Sequence, residues 1–316
     1  MKNRTWLAYV VFFAVLAAAP LLLGRYWVDV LNNVGLYLIL ALSLNVILGY
    51  AGMFHMGHAA FYAVGAYTTA IINTHYGVPV LWVLPVSGLA AALFALVVAR
   101  PIIHLRGDYL LIVTIGMVEI VRIALINNVF GLTGGANGIF GISRPEIFGF
   151  RLTQPVHFFY LIWSFAALTV LLFSLLENSR FGRAFKYLKE DEIAAEGSGI
   201  HTARYKLAAF VLGAGWAGMC GTIFAAQMTI ISPESFNFLE SVRLFMIVIL
   251  GGAGNIPGVI LGSFLVMGLP ELFRDFADAR LLIFGLALMV MMIVRPQGLL
   301  PPRPRKHNLD SIRELS

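Results

Sequence analysis

Charge is scarce in this chain of 316 residues. Asp, Glu, Lys and Arg together make up 12% of it, against roughly 25% in soluble domains. That scarcity excludes an ordinary soluble domain. Cysteine is nearly absent, and Cys220, lying in an apolar run, is alone. An internal disulfide is therefore impossible, and a cysteine-based metal cluster is not expected. No Gly-Lys dipeptide occurs, so no G-x-x-x-x-G-K-[ST] phosphate loop exists. H-E-x-x-H, G-x-S-x-G and any Asp-rich cluster are also missing. Nothing here supports a named chemical step, a metal or a cofactor. The alternating ten-residue pattern of a membrane β-barrel is missing as well.

What the chain has is apolar length. Hydrophobic residues make up 59% of it, and its mean hydropathy is +0.85. Apolar runs near 20 residues match helices crossing a ~30 Å hydrocarbon core. The fold class expected is all-α, a polytopic membrane protein with about ten spans (eight to ten), some short or broken. The spans are 6–23, 30–48, 56–73, 80–100, 109–127, 157–176, 205–228, 241–253, 257–273 and 280–295. The run 6–23 exceeds a signal-peptide core of about 7–15 residues and is read as a retained helix. Residues 1–29 form an N-terminal segment, 30–302 the transmembrane domain, and 303–316 a basic tail. Six Lys or Arg fall in 177–206, two in 128–156 and four in the tail. The positive-inside rule then puts 177–206 and both termini in the cytoplasm and 128–156 outside. The net charge of +6 serves this topology and does not point to nucleic acid.

A short echo runs through the chain. I-L-G-x-A-G closes the span at 47–52 and returns at 249–254, each time before a polar or proline-containing step. Paired Gly/Pro-interrupted segments are the pointer to a pathway in transporters built from repeats. Asn45, Gly49, Gly52, Gly251, Gly252, Gly254 and Asn255 are the pathway candidates, Asn45 as a hydrogen-bond partner for broken backbone. Chance similarity in a chain rich in Gly and Ala is the rival reading. Glu119 and Arg122 lie three apart on one helix face. They read as a structural ion pair or as a pathway element. His55 and His58 have no acidic or cysteine partner nearby and read as inter-helix hydrogen bonders or headgroup contacts. Small residues recur every four positions at Gly213, Ala217 and Gly221, at Ala59 and Ala63, and at Ala66 and Ala70. Such files let helix backbones approach closely in lipid. The segment 131–155 carries GLTGGANGI, a backbone-rich turn. It serves as a docking surface, a lid or a plain connection.

The exception to this apolar character is residues 180–200, RFGRAFKYLKEDEIAAEGSGI. Phe181, Ala184, Phe185 and Leu188 recur at i, i+3, i+4, i+7, an amphipathic helix that breaks at Gly197-Ser198-Gly199. Either it docks in a groove of another protein or it is a solvated topology loop.

At this point the residues resemble a known family. FGRAFKYLKEDEIAAEGSGI at 181–200, LNVILGYAGMFHMGHAAFYAVGAY at 44–67, LTGGANGI at 132–139, ILGGAGNIPGVILG at 249–262 and RPQGLLP at 295–301 occur in the order found in LivM-type permease subunits of bacterial ABC importers for branched-chain amino acids. The resemblance implies an importer-permease fold with an internal repeat, in the plasma (inner) membrane. It implies a second homologous permease, two ATPase subunits, a soluble substrate-binding protein on the outer face, and lipid around the spans. By position it assigns ATPase coupling to Phe181, Gly182, Arg183, Ala184, Asp191, Glu192, Ala194, Ala195, Gly199 and Ile200. Phe185 and Leu188 join them from the apolar stripe. Glu192-Ile193-Ala194-Ala195 departs from a literal E-A-A. Leucine, isoleucine and valine are the implied cargo, with other amino acids, amides or urea as related cargoes. The alternative class is a self-sufficient secondary transporter or channel. Its expected intramembrane acidic and histidine relay is weak here.

Overall fold

The computed structural model describes residues 2–273 apart from Arg106 and Phe148, together with 285–286, 289–290, 293–295 and 297–301. The side chains of residues 2–8 and of Ile147 are not described. The span expected at 280–295 and the tail 303–316 fall largely or wholly outside these residues.

The described chain is helical almost throughout. Lys2–Ala17 (α1) and Ala19–Leu22 (α2) are separated at Ala18, just before Pro20, so the expected first span is two pieces. Arg25–Asn45 (α3) runs on into a wide π turn, Val46–Tyr50. His58–Tyr76 (α4), Val80–Ile102 (α5) and Asp108–Ile126 (α6) follow. Ile139–Phe140 (β1), Glu146–Ile147 (β2) and Phe150–Arg151 (β3) lie in the next connection. Then come Pro155–Asn178 (α7), Arg180–Glu190 (α8), Glu192–Gly197 (α9) and Thr202–Met228 (α10). Ile230–Ile231 (β4), Phe238–Gly251 (α11), Ile256–Ser263 (α12) with the π turn Phe264–Gly268, and Leu269–Leu272 (α13) complete the set. Among the described residues, five helices are long and apolar enough to cross a membrane: Arg25–Tyr50, α5, α6, α7 and α10. The chain is thus a polytopic helical protein.

The core is built by backbone approach. A Cβ added to Gly65 of α4 would lie 2.2 Å from the carbonyl oxygen of Gly218 in α10. Only glycine permits that contact, and it substitutes for the hydrophobic drive that lipid cannot supply. Hydroxyls stitch the same layer: Thr222 of α10 meets Thr69 of α4 at 2.8 Å and Ser87 of α5 at 2.5 Å. Because α4 is surrounded by protein, it needs less hydropathy than a lipid-facing span. Its Ala and Gly content reflects this position.

The bundle has two distinct ends. At one, β1 pairs antiparallel with β4, and Asn73 near the end of α4 holds Ser143 through two hydrogen bonds of 2.6 and 2.7 Å. Asn128 accepts from the Thr133 and Gly134 amides at 2.9 and 3.1 Å and so folds the glycine-rich turn. At the other end lie α8 and α9. Phe185 and Leu188 are buried there against the bundle.

One helix begins part-way along the bundle. Residues 52–57 are non-helical, and α4 starts only at His58. The His58 Nε2 lies 2.7 Å from the Ser43 hydroxyl, about 10 Å back from Tyr50, where the π turn that continues α3 ends, at 1.5 Å per residue. Thus α4 begins inside the bundle. There, its Ala59 amide donates to the Ser241 hydroxyl in the first turn of α11 at 3.0 Å. Non-helical backbone at this depth is tolerated because protein surrounds it. His55, in that segment, lies in an aromatic box, stacked on Phe61 with centroids 5.5 Å apart and edge-on to Phe210 at 5.1 Å.

Candidate functional site: a junction of two helix breaks and a polar helix

The two I-L-G-x-A-G segments meet in space. Asn45, in the last turn of α3, accepts the amide of Gly254 at 2.8 Å. Gly49 fits between them: a Cβ there would lie 1.9 Å from Asn45 Oδ1 and 2.5 Å from the Gly254 nitrogen. Gly52 and Gly254 have φ of +71° and +95°, a region that side chains disfavour. The second break is braced again from the far end of the chain. Leu299 and Leu300 donate to the carbonyls of Leu250 and Gly251 at 2.8 and 3.1 Å. Asn255 Nδ2 donates to the Leu300 carbonyl at 2.8 Å. The last carbonyls of α11, which have no partner within their own helix, are satisfied this way. Gly252, with φ of +113°, passes the Leu300 carbonyl so closely that a Cβ would be 2.4 Å from it.

Helix α8 closes over the junction. Lys189 sends its ammonium to the Gly49 carbonyl at 2.8 Å and to the Ala253 carbonyl at 3.4 Å. Its stem also packs on Gly52, where a Cβ would lie 2.9 Å from Lys189 Cγ. Desolvation, and then the neighbouring Lys186, hold this ammonium below the ordinary lysine pKa. One side chain of the polar helix therefore touches both breaks. Sequence reasoning missed Lys189 because it lies off the apolar stripe and its partners are backbone carbonyls. A lysine in the last turn of the polar helix was its only signal.

The polar segment itself differs from a single helix. It breaks at Asp191, whose carboxylate caps α9 by accepting from Ile193 and Ala194 at 2.8 and 3.1 Å. Such an N-cap starts a new helix by satisfying free amides. The apolar stripe turns inward: Ala184, Phe185, Leu188, Gly182 and Ala195 are buried in their own chain. Gly182 lies so close to the end of α7 that a Cβ would be 2.3 Å from the Leu176 carbonyl. These side chains pack on their own chain and fasten the polar segment to the bundle. Phe181, Arg183, Asp191, Ala194 and Gly199 are exposed, as are Tyr187 and Ile193. Glu192 is tied to Lys206 at 2.6 Å, which pins α9 to α10. Ile200 is half-buried.

Glu119 and Arg122 pair at 2.9 Å, with Glu234 as a third partner at 2.8 Å. They lie near the sheet end of α6 and are not part of the junction. A second pair of identical spacing, Glu240 and Arg243, stands on α11 and shares Tyr37 of α3. Sequence reasoning missed it by starting that span at 241. The repeated pattern E-I-V-R and E-S-V-R was the available signal.

Comparison with known proteins gives consistent matches. Residues 26–295 match the family described as branched-chain amino acid transport system / permease component. The chain is 41% identical to the high-affinity branched-chain amino acid transport system permease protein LivM of Escherichia coli, over 95% of this chain and 76% of that protein. It is 26% identical to LivH of the same organism, over 84% and 91%. A probable LivM of Methanocaldococcus jannaschii is 25% identical, over 85% and 92%. No solved structure matches.

Proposed function

The chain belongs to the branched-chain amino acid permease family, and from that premise we propose how it works as one half of the membrane pore of an ATP-driven importer. It is a multi-pass permease component for branched-chain amino acids. The second half is a homologous permease, as LivH stands beside LivM among the relatives. Two ATPase subunits supply energy from the cytoplasm, and a soluble binding protein delivers cargo to the outer face. The membrane is the bacterial inner membrane, with both termini and residues 177–206 inside. Ten spans, including 280–295, are the count this reading adopts, with an internal repeat marked by the two I-L-G-x-A-G breaks.

The observation that carries the coupling step is Lys189 reaching from α8 to the carbonyls of both breaks. The exposed residues of α8 and α9, led by Phe181, Arg183, Tyr187 and Ile193, meet the ATPase. Ala184, Phe185 and Leu188 fasten the same segment to the bundle. When the ATPases close, α8 moves as a lever, and Lys189 transmits that movement to Gly49 and Gly254. Asn45, Gly49, Gly52, Gly251, Gly252, Gly254 and Asn255 then act as the cytoplasmic gate of the path. Rigid-body movement around a fixed site alternates its access. Glu119 and Arg122, with Glu234, hold the outer end in one arrangement.

Purification through a tag on this chain tests the assembly. Recovery of a second permease and ATPase subunits in fixed stoichiometry is expected. A chain that purifies alone and moves leucine down an ion gradient in liposomes would overturn it in favour of a self-sufficient transporter.

A further inference from the structure

An ion pair stands half-way through the membrane on a face that this chain leaves open. Tyr37 is 12 residues from Arg25 and 13 from Tyr50, the two ends of the span made by α3 and its π turn. At 1.5 Å per residue it sits about 18–20 Å from either end. Its hydroxyl donates to Glu240, and Arg243 donates to the other oxygen of the same carboxylate. The Arg243 side chain is 49% exposed and that of Glu240 is 15% exposed. Charge at bilayer mid-depth costs roughly 2.5–3.5 kcal/mol on insertion scales, and such groups face a bundle interior or a water-filled path. The exposed side of Arg243 therefore does not front hydrocarbon. In the proposed assembly it fronts the space between this chain and the second permease.

The chemistry of that space is specific. Every α-amino acid carries an α-ammonium and an α-carboxylate, whatever its side chain. A guanidinium has five N–H donors, more than Glu240 and Tyr37 can accept, and its planar fork suits a carboxylate. Glu240 is an acceptor for an ammonium, and Tyr37 holds it in place. Leu239 is exposed beside the pair and offers apolar surface to an aliphatic side chain. We propose that Arg243 and Glu240 form a binding site for the zwitterionic group of the transported amino acid, with Arg243 taking the carboxylate and Glu240 the ammonium. Tyr37 is a positioning residue. This inference rests on the transport reading above and names where the cargo pauses.

The test uses the whole importer in proteoliposomes with saturating binding protein and radiolabelled L-leucine. Arg243→Gln and Glu240→Gln should each lower uptake at least tenfold with equal yield of assembled complex. Arg243→Lys should recover part of it, and Tyr37→Phe should lose about threefold. A second measurement separates site from scaffold. An Arg243→Cys importer is treated with a cationic methanethiosulfonate; Cys220 is fully buried and does not compete. Labelling during ATP turnover, slowed by L-leucine, is expected. Unchanged uptake in both glutamine variants, or no labelling in any nucleotide state, would overturn the proposal and leave a sealed structural pair. Uptake by the unsubstituted importer is the separate check on the transport reading.

Discussion

Asn45 and Gly254 stand 209 positions apart, and the side-chain oxygen of one accepts the backbone amide of the other at 2.8 Å. That bond joins the two I-L-G-x-A-G breaks into one structure. Asn45→Ala removes the acceptor and leaves a part-buried amide without this partner. Such a loss costs about 1–3 kcal/mol. Thermal unfolding of the purified complex in detergent should shift down accordingly. An unchanged midpoint would show that the bond carries no weight.

Glycine at 49 is required by space. Any Cβ there overlaps Asn45 and the Gly254 backbone. Gly49→Ala should therefore reduce recovery of the folded chain more than Gly116→Ala, where an added Cβ meets nothing within 4 Å. Fluorescence size-exclusion profiles of the two variants give the comparison. Equal profiles would contradict the close approach.

Lys189 links α8 to both breaks through carbonyl oxygens. Lys189→Met keeps much of the stem and removes the donors. Uptake should fall at least fivefold while ATP hydrolysis by the assembled complex continues, because the lever then moves without its load. Tight coupling in this variant, with uptake and hydrolysis in the wild-type ratio, would remove Lys189 from the mechanism.

Phe181 and Phe185 are one turn apart and should behave oppositely. Phe185 is 0% exposed and Phe181 is 52% exposed. Phe185→Ala opens a cavity worth about 3–5 kcal/mol in a core and should lower stability of the isolated chain. Phe181→Ala should leave that stability within about 0.5 kcal/mol, as for ordinary surface changes. It should instead weaken co-purification of the ATPase. Loss of stability in both, or of ATPase in neither, would defeat the assignment of the exposed side as the docking face.

Lys206 and Glu192 test the attachment of α9. Their side chains are 7% and 21% exposed, and the pair is 2.6 Å apart. Removing one partner of a buried pair costs about 3–5 kcal/mol; the partial exposure of Glu192 places this pair at or below the low end. Lys206→Met should increase amide exchange in α9 without changing it in α5. Exchange that rises equally in both helices would mean global loosening instead.

Apolar run length and lysine-arginine bias alone determined that this chain is a polytopic helical protein and which segment is polar, because the cost of exposing backbone and charge to hydrocarbon acts residue by residue. The five long spans could be read that way. The repeated glycines marked where helices would break, since φ above zero and close approach are local demands. What the tertiary structure decided is what those breaks and that polar helix touch. Periodicity assigned Phe185 and Leu188 to a sticky stripe but could not say that the stripe seals onto its own bundle. Lys189 and Arg243 acquire meaning only from a carbonyl 140 positions away and from depth in the membrane. Such contacts depend on how the chain closes on itself, and no window of sequence contains both partners.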